Sequence, residues 1–133
     1  MLLIEHYVAQ SPIHGLGVFS AVTVHKGAKI LAFHPSIDRI IPASDFEGLP
    51  KHVLALIESR AEYLEGQHAF LTSLDGDQFM NHSDEPNTVR IGDEWFASKD
   101  IFQGDEITCC YRETLILAFN PDTGKPHQKM LSE

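Results

Sequence analysis

The chain contains little cysteine. Its two cysteines, Cys109 and Cys110, are neighbours in the sequence, so a disulfide between them would form only a strained ring and would not close a loop of the fold. We therefore expect both side chains to be reduced thiols.

The chain also lacks a long apolar run. No run approaches the ~18 residues that a membrane-spanning helix needs. The opening Met1–Ile4 is followed at once by Glu5 and His6, before the apolar core of a signal peptide could form. We expect a cytoplasmic protein with no membrane partner.

Positive charge is scarce. Ten lysines and arginines stand against nineteen aspartates and glutamates, a net charge of -9. Such a surface repels phosphate backbones and anionic lipids, because nucleic-acid affinity depends largely on neutralising phosphates. We expect no direct nucleic-acid binding and favour a cationic partner.

The composition is otherwise that of a globular domain, with 133 residues and 43% hydrophobic residues, enough for one modest core. Glycine and proline recur at short intervals, as in all-β domains. Short runs rich in β-branched and aromatic residues predict seven strands: Leu2–Val8, Val18–Ala21, Lys29–Phe33, His68–Leu71, Thr88–Ile91, Glu94–Ser98 and Glu106–Tyr111. Gly92-Asp93 predicts a hairpin turn.

Apolar residues recur at helical spacing in one stretch, which predicts a helix from Lys51 to about Leu64. Ser44 and Glu47 fit a capping box for a preceding helical turn. A second, short helix is predicted over Leu115–Phe119, followed by a polar tail that we expect to be mobile.

Several catalytic signatures are absent. The glycine pair Gly15 and Gly17 lacks a third glycine at position 20, which argues against a dinucleotide fold. The sequence contains no Walker loop, no Gly-x-Ser-x-Gly elbow and no Cys-x-x-Cys. No two histidines stand at i, i+2 or i, i+4, so we expect no metal site.

Three segments carry the remaining chemistry, and each also has a plain structural interpretation. Ser11–Ser20 has two glycines that let a loop approach a ligand closely, or that form a tight turn. Phe79–Asn87 offers backbone and side-chain hydrogen bonds, or forms an Asx-type turn before Pro86. Gly104–Tyr111 is a turn and strand ending on a tyrosine, whose ring could simply pack there.

Taken together, these segments resemble the SET-domain protein lysine methyltransferases: a glycine loop near the N-terminus, the run Asn-His-Ser-x-x-Pro-Asn over 81–87, and a Gly-Asp-Glu-Ile-Thr-Cys-Cys-Tyr strand over 104–111. The resemblance covers about residues 5–111. It implies a single SET domain over 1–133, mainly β, in which short curled sheets form a β-clip fold. It also implies one inserted helix and a knot-like C-terminal segment over 112–133.

The resemblance also implies a site. S-adenosylmethionine would be held by the glycine loop, the Asn-His pair and the strand-end tyrosine, that is by His14, Gly15, Leu16, Gly17, Asn81, His82 and Tyr111. We expect Asn81 to offer the cofactor both its carbonyl oxygen and its amide donor. Tyr111 is the catalytic candidate, while Glu106, Pro86 and Asn87 would be mainly architectural.

Methyl transfer to an amine is an in-line displacement, so the protein must chiefly align the reacting atoms. A narrow apolar channel beside a sulfonium favours the neutral lysine amine through desolvation and like-charge repulsion. The Tyr111 hydroxyl can then orient that amine, and its ring can face the cation. The implied substrate is a lysine of a protein or peptide, which the acidic surface leads us to expect to be basic.

Two departures from the family concern the lysine channel. Cys109 stands where the family usually carries Phe or Tyr, so we expect room for di- or trimethylation unless a water held by Cys109 restores monomethylation. The cysteine-rich zinc segments of many members are absent, so Phe119, another tail residue or a second subunit of a homodimer would close the channel, and Phe119 could equally pack on the core.

Two other functions remain alternatives at this stage. The first is a SET-fold protein-interaction module with weak or no catalysis, which the cysteine substitution and the missing flanks leave open. The second is a metal-dependent β-barrel oxygenase or isomerase, which the histidine spacing disfavours.

Overall fold

A computed structural model gives the structure of residues 1–119. Strands dominate, and the predicted mainly β class with one helix and several small sheets is confirmed. The strands are β1 (His6–Gln10), β2 (Leu16–Ser20), β3 (Lys29–Leu31), β4 (Asp38–Pro42), β5 (Glu62–Leu64), β6 (Ala69–Ser73), β7 (Asn81–His82), β8 (Thr88–Ile91), β9 (Glu94–Ala97) and β10 (Glu106–Cys109). The helix α1 is Lys51–Arg60, and single 3-10 turns span Ala43–Phe46, Glu65–Gln67 and Gly76–Phe79.

The chain forms two compact units. The first contains Met1–Ile37 and Ser73–Cys110, and the second contains Asp38–Thr72 and the chain from Tyr111 onward.

The first unit contains two sheets. In the four-stranded sheet, of order β1-β2-β10-β7, the first three strands are antiparallel and β7 runs parallel to β10. The other sheet has the order β3-β9-β8. Its β8–β9 hairpin pairs Ile91 with Glu94, so Gly92-Asp93 is the predicted two-residue turn, with Gly92 at a φ of 64°.

Branched aliphatic side chains form the core of this unit. Val18, Ile30, Ile101 and Ile107 are fully buried. The 3-10 turn at Gly76 packs so closely on β1 and β2 that a Cβ there would lie 2.9 Å from Val18 Cγ2. A side chain at position 76 would therefore separate the turn from the sheet.

The second unit contains the third sheet, of order β4-β6-β5, and a separate core. Phe46, Ala61, Phe70 and Leu117 are buried together in it. Phe46 and Phe70 meet edge to face, with ring centroids 5.6 Å apart and planes at 76°, an arrangement favoured by the ring quadrupoles.

The helix prediction was wrong at its C-terminal end. Ala61 has extended φ and ψ angles of -90° and 141°, and β5 follows, with Leu64 paired to Ala69. Apolar residues three or four positions apart are compatible with a helix. In the structure this segment instead pairs with β6, which partly buries its side chains and also provides hydrogen bonds to its backbone.

Two smaller predictions were also wrong. The turn at Ala43–Phe46 follows Pro42 with no side-chain cap, so Ser44 and Glu47 form no capping box. Leu115–Phe119 is not a helix; its backbone closes a turn in which Phe119 N–H donates to Ile116 O.

Strands β4, β5 and β7 were absent from the sequence prediction. The knot-like C-terminal segment remains a prediction, because residues 120–133 lie outside the described residues, as does the tail expected to be mobile. In the described part of the chain, α1 is too short and too polar to cross a membrane.

Candidate active site

The three segments singled out in the sequence meet in one hydrogen-bonded cluster of the first unit. Ser11 Oγ donates to the Glu106 carboxylate, at 2.7 Å from Oε1 and 2.9 Å from Oε2. Asn81 Nδ2 donates to Glu106 Oε2 at 3.0 Å. Hydrogen bonds to an ionised group are stronger than neutral ones. The Glu106 carboxylate thus joins the glycine loop to the Asn-His segment.

The Asn81 side chain is buried and faces three oxygens. Besides Glu106, its Nδ2 lies 3.1 Å from His14 O and 3.1 Å from Leu16 O. An amide nitrogen has two hydrogens and no acceptor, so this environment determines the orientation of the amide. The Asn81 amide donor faces these protein oxygens, and the hydrogen bond expected from it to the cofactor stays a prediction.

Gly17 is needed for the close approach of β2 and Glu106. A Cβ at Gly17 would lie 2.6 Å from Glu106 Oε2 and 2.9 Å from Ser11 Cβ. Both distances are below any real contact, so a side chain at this position would push the carboxylate out of the cluster.

The glycine loop lies between β1 and β2. Ser11 N–H donates to Gly15 O at 2.7 Å, and Ser11 Oγ accepts from Ile13 N–H at 3.0 Å. Gly15 has a φ of 47°, a left-handed conformation that costs glycine little. Residues 12–16 are all exposed, so a ligand can approach this loop.

His82 and Cys109 lie opposite each other in the short parallel pairing of β7 and β10. The His82 ring is largely covered and its Nε2 lies 3.0 Å from Asp84 Oδ1, so this nitrogen must donate to the carboxylate. The buried Cys109 thiol lies 4.0 Å from Asn81 O. The His82 ring and the Cys109 thiol therefore each contact a polar atom of the segment over residues 81–84.

Asn87 acts as a short piece of strand beside β10. Its Oδ1 accepts from Thr108 N–H at 2.9 Å, and its Nδ2 donates to Glu106 O at 2.8 Å. Because one amide side chain satisfies two backbone groups of the strand, its role in the structure is architectural. Thr108, which also contacts Asn87 N–H through its Oγ1 at 3.2 Å, was not singled out in the sequence.

Tyr111 belongs to the second unit and contacts Phe119 there. The two half-buried rings meet edge to face, with centroids 5.3 Å apart and planes at 83°. Tyr111 also lines an open depression of about 400 Å³ that is bordered by residues 62–65 and 111–115. The depression contains three glutamates and one arginine, Glu62, Glu65, Glu113 and Arg112.

The family model of the SET domain matches residues 15–112. The chain belongs to the SET-domain family. That match contains the Asn81 segment and the whole of β10, and it ends just after Tyr111. No curated protein sequence matches the chain.

Solved structures similar to this SET domain include a provisionally assigned histone methyltransferase of Plasmodium falciparum. It is 25% identical, the alignment covers 83% of this chain and 95% of that one, and the TM-score is 0.53. The match supports a methyltransferase of the SET class at the level of the fold and the family.

The structure therefore brings together the predicted His14, Gly15, Leu16, Gly17 and Asn81, and places Cys109 and His82 on the adjacent strands. Sequence reasoning missed Ser11 as the hydroxyl that joins the loop to Glu106. The available signal was weak, because a serine before a glycine turn is common and nothing local points to a carboxylate 95 residues away.

Proposed function

We propose that this SET domain transfers methyl groups from S-adenosylmethionine to the side-chain amine of a lysine in a protein substrate. The observation that carries the proposal is the cluster in which Glu106 joins Ser11 of the glycine loop to Asn81. Three segments far apart in the sequence share one part-buried polar cluster, and this cluster gives the exposed loop a defined shape.

The residues present fit the cofactor. The loop over residues 12–16 is exposed and contains a left-handed glycine, so a ligand can approach its backbone closely. No described residue donates to Asn81 Oδ1, which leaves an acceptor for the amino group of the methionine part. His14, Gly15, Leu16, Gly17, Asn81 and His82 would hold the cofactor, with Tyr111 beside the reacting atoms.

S-adenosylmethionine supplies a methyl group on a positively charged sulfur. The task of the protein is to orient the amine and keep it unprotonated. The Tyr111 hydroxyl can accept or donate one hydrogen bond at the amine. Its ring is held edge-on by Phe119, and this contact favours one ring orientation over others. Phe119 is then one wall of the lysine channel.

The depression next to Tyr111 supports a basic substrate. Its lining carries Glu62, Glu65 and Glu113 against Arg112, and the chain as a whole has a net charge of -9. Charge complementarity of this kind raises the rate of encounter with a cationic segment. The Plasmodium protein of similar fold is provisionally assigned as a histone methyltransferase, and histones are basic proteins.

The degree of methylation depends on the space that Cys109 leaves. A thiol is smaller than the aromatic ring that the family usually has at this position, which favours di- or trimethylation. Mass spectrometry of a methylated lysine peptide would count the methyl groups, and a product that stops at one methyl would contradict this part of the proposal.

Calorimetric titration with S-adenosylmethionine tests the proposal first. We expect saturable one-site binding, followed by methylation of a lysine in a basic protein mixture. The titration is repeated at a second temperature, because binding with zero enthalpy at one temperature gives no heat. No binding at either temperature would favour the alternative, a SET-fold interaction module without transfer.

A further inference from the structure

We infer that Ser11 and Glu106 are positioning residues that hold the glycine loop in its cofactor-binding shape. The inference rests on the proposed function, because it assumes that the loop binds S-adenosylmethionine. It assigns to these two side chains a measurable part of the cofactor affinity, although neither is expected to touch the cofactor.

The loop is not held by packing. Residues 12–16 are exposed, and Ile13 and Leu16 remain 50% and 44% accessible. An exposed segment with few apolar contacts has a low local stability. Its shape must therefore come from hydrogen bonds at its two ends.

Ser11 provides those bonds at the start of the loop. Its backbone N–H donates to Gly15 O at 2.7 Å, and its hydroxyl accepts from Ile13 N–H at 3.0 Å while donating to Glu106. A hydroxyl has one hydrogen and two lone pairs, so these contacts direct its only hydrogen to the carboxylate. Glu106 thereby determines which way Ser11 presents its acceptor to the loop.

Asn81 completes the arrangement at the other end of the loop. The same carboxylate oxygen that accepts from Ser11 accepts from Asn81 Nδ2, and that nitrogen also reaches His14 O and Leu16 O. Glu106 thus acts on the loop by two routes, through Ser11 and through Asn81. We call Ser11, Asn81 and Glu106 the loop clamp.

The smaller the fraction of molecules whose loop has its binding shape, the weaker is the measured binding of the ligand. The apparent Kd equals the intrinsic Kd divided by the fraction of molecules whose loop is competent. A hydrogen bond to a charged group is strong enough to change that fraction about tenfold when it is lost. The clamp therefore predicts weaker cofactor binding in a protein that is still folded.

The test measures the Kd of S-adenosylmethionine by calorimetry for Ser11→Ala, Glu106→Gln and the double variant. We expect about a tenfold increase for Ser11→Ala. We expect about a threefold increase for Glu106→Gln, because the glutamine keeps one acceptor oxygen. The double variant should bind more weakly than Ser11→Ala alone, because the route through Asn81 is also affected, but should fall short of the product of the two single effects, because both changes break the contact between Ser11 and Glu106.

The matched control is Ser59→Ala in α1. It also removes a hydroxyl hydrogen bond, to Leu56 O at 2.9 Å, but in the second unit, whereas the loop belongs to the first. We expect an unchanged Kd. Thermal unfolding of all variants separates the two roles: a purely structural serine lowers Tm and the number of binding sites per chain measured by calorimetry, while the Kd of the folded protein stays constant.

Two results would overturn the inference. One is a Kd for Ser11→Ala that lies within about twofold of the parent value, because a titration of that precision would resolve a tenfold change. The other is a double variant whose effect is the product of the two single effects. If the parent chain does not bind S-adenosylmethionine, the proposed function fails instead, and hydrogen exchange of amides 13–16 still tests the clamp: faster exchange in Ser11→Ala supports it, and equal exchange refutes it.

Discussion

The glycine-loop region and the Tyr111 region position their functional groups by different means. In the loop region, Glu106, Asn81 and Ser11 form short, directional hydrogen bonds at 2.7–3.1 Å. In the Tyr111 region, the ring of Tyr111 packs edge-on against Phe119 at 5.3 Å and borders an open depression.

This difference indicates how each region responds to change. Hydrogen bonds to a charged group have a steep angular dependence, and a removed partner leaves a desolvated atom behind. Ring contacts lose only a fraction of their energy when they shift. We therefore expect cofactor binding to be sensitive to small substitutions near the loop, and substrate binding to tolerate them better, with the Tyr111 hydroxyl as the exception.

The largest effect is expected for Tyr111→Phe. The ring remains but the orienting hydroxyl is lost, so methyl transfer should fall at least about 100-fold, the lower range for a positioned polar group, while the Kd of S-adenosylmethionine stays constant. Single-turnover rates and calorimetry check the two parts. The control is Tyr63→Phe, because Tyr63 lines the same depression. Equal rates for Tyr111→Phe and the parent would remove Tyr111 from the mechanism.

A large loss of stability is expected for Asn87→Ala. Thr108 N–H and Glu106 O would each lose a partner, at a total cost of about 3 kcal/mol. Denaturant unfolding measures it. Asn87→Asp keeps the acceptor for Thr108 and should lose less. A loss below about 1 kcal/mol for Asn87→Ala would show that water replaces the side chain.

Gly17→Ala should cost about 2 kcal/mol of stability, because its Cβ would overlap Glu106 Oε2 at 2.6 Å. It should also weaken cofactor binding, since the carboxylate must move away from Asn81. Gly66→Ala is the control, because nothing lies within 4 Å of a Cβ there. If Gly17→Ala and Gly66→Ala both leave stability and cofactor affinity unchanged, the close approach at Gly17 contributes to neither.

The smallest effect is expected for Phe119→Ala. Losing an edge-to-face contact with Tyr111 should cost about 1 kcal/mol and raise the KM for a lysine peptide a few fold, with the cofactor Kd unaffected. Phe102→Ala, at a ring that is 58% exposed, controls for the loss of a phenyl group. An effect on cofactor binding as large as that on KM would break the contrast between the two regions.

How far the sequence predicts the fold depends on the element. Thr88–Ile91 matches β8 residue for residue and Glu94–Ser98 exceeds β9 by one residue, because alternating side chains and a Gly-Asp turn specify a hairpin locally. By contrast, β7 is only Asn81–His82 and forms because β10 lies beside it. A two-residue strand has no periodicity of its own, so no local pattern could predict it.

The site shows the same division. The sequence alone determined the residue types and their order: the glycine loop, the Asn-His pair and the strand that leads to Tyr111, which together are sufficient to resemble the SET family. Only the tertiary structure decided that the Glu106 carboxylate accepts hydrogen bonds from the Asn81 amide and from the hydroxyl of Ser11, which is 95 residues away in the sequence. The physical reason is that a hydrogen bond depends on distance and angle between atoms, and residues so far apart in the chain acquire these only when the sheet β1-β2-β10-β7 forms.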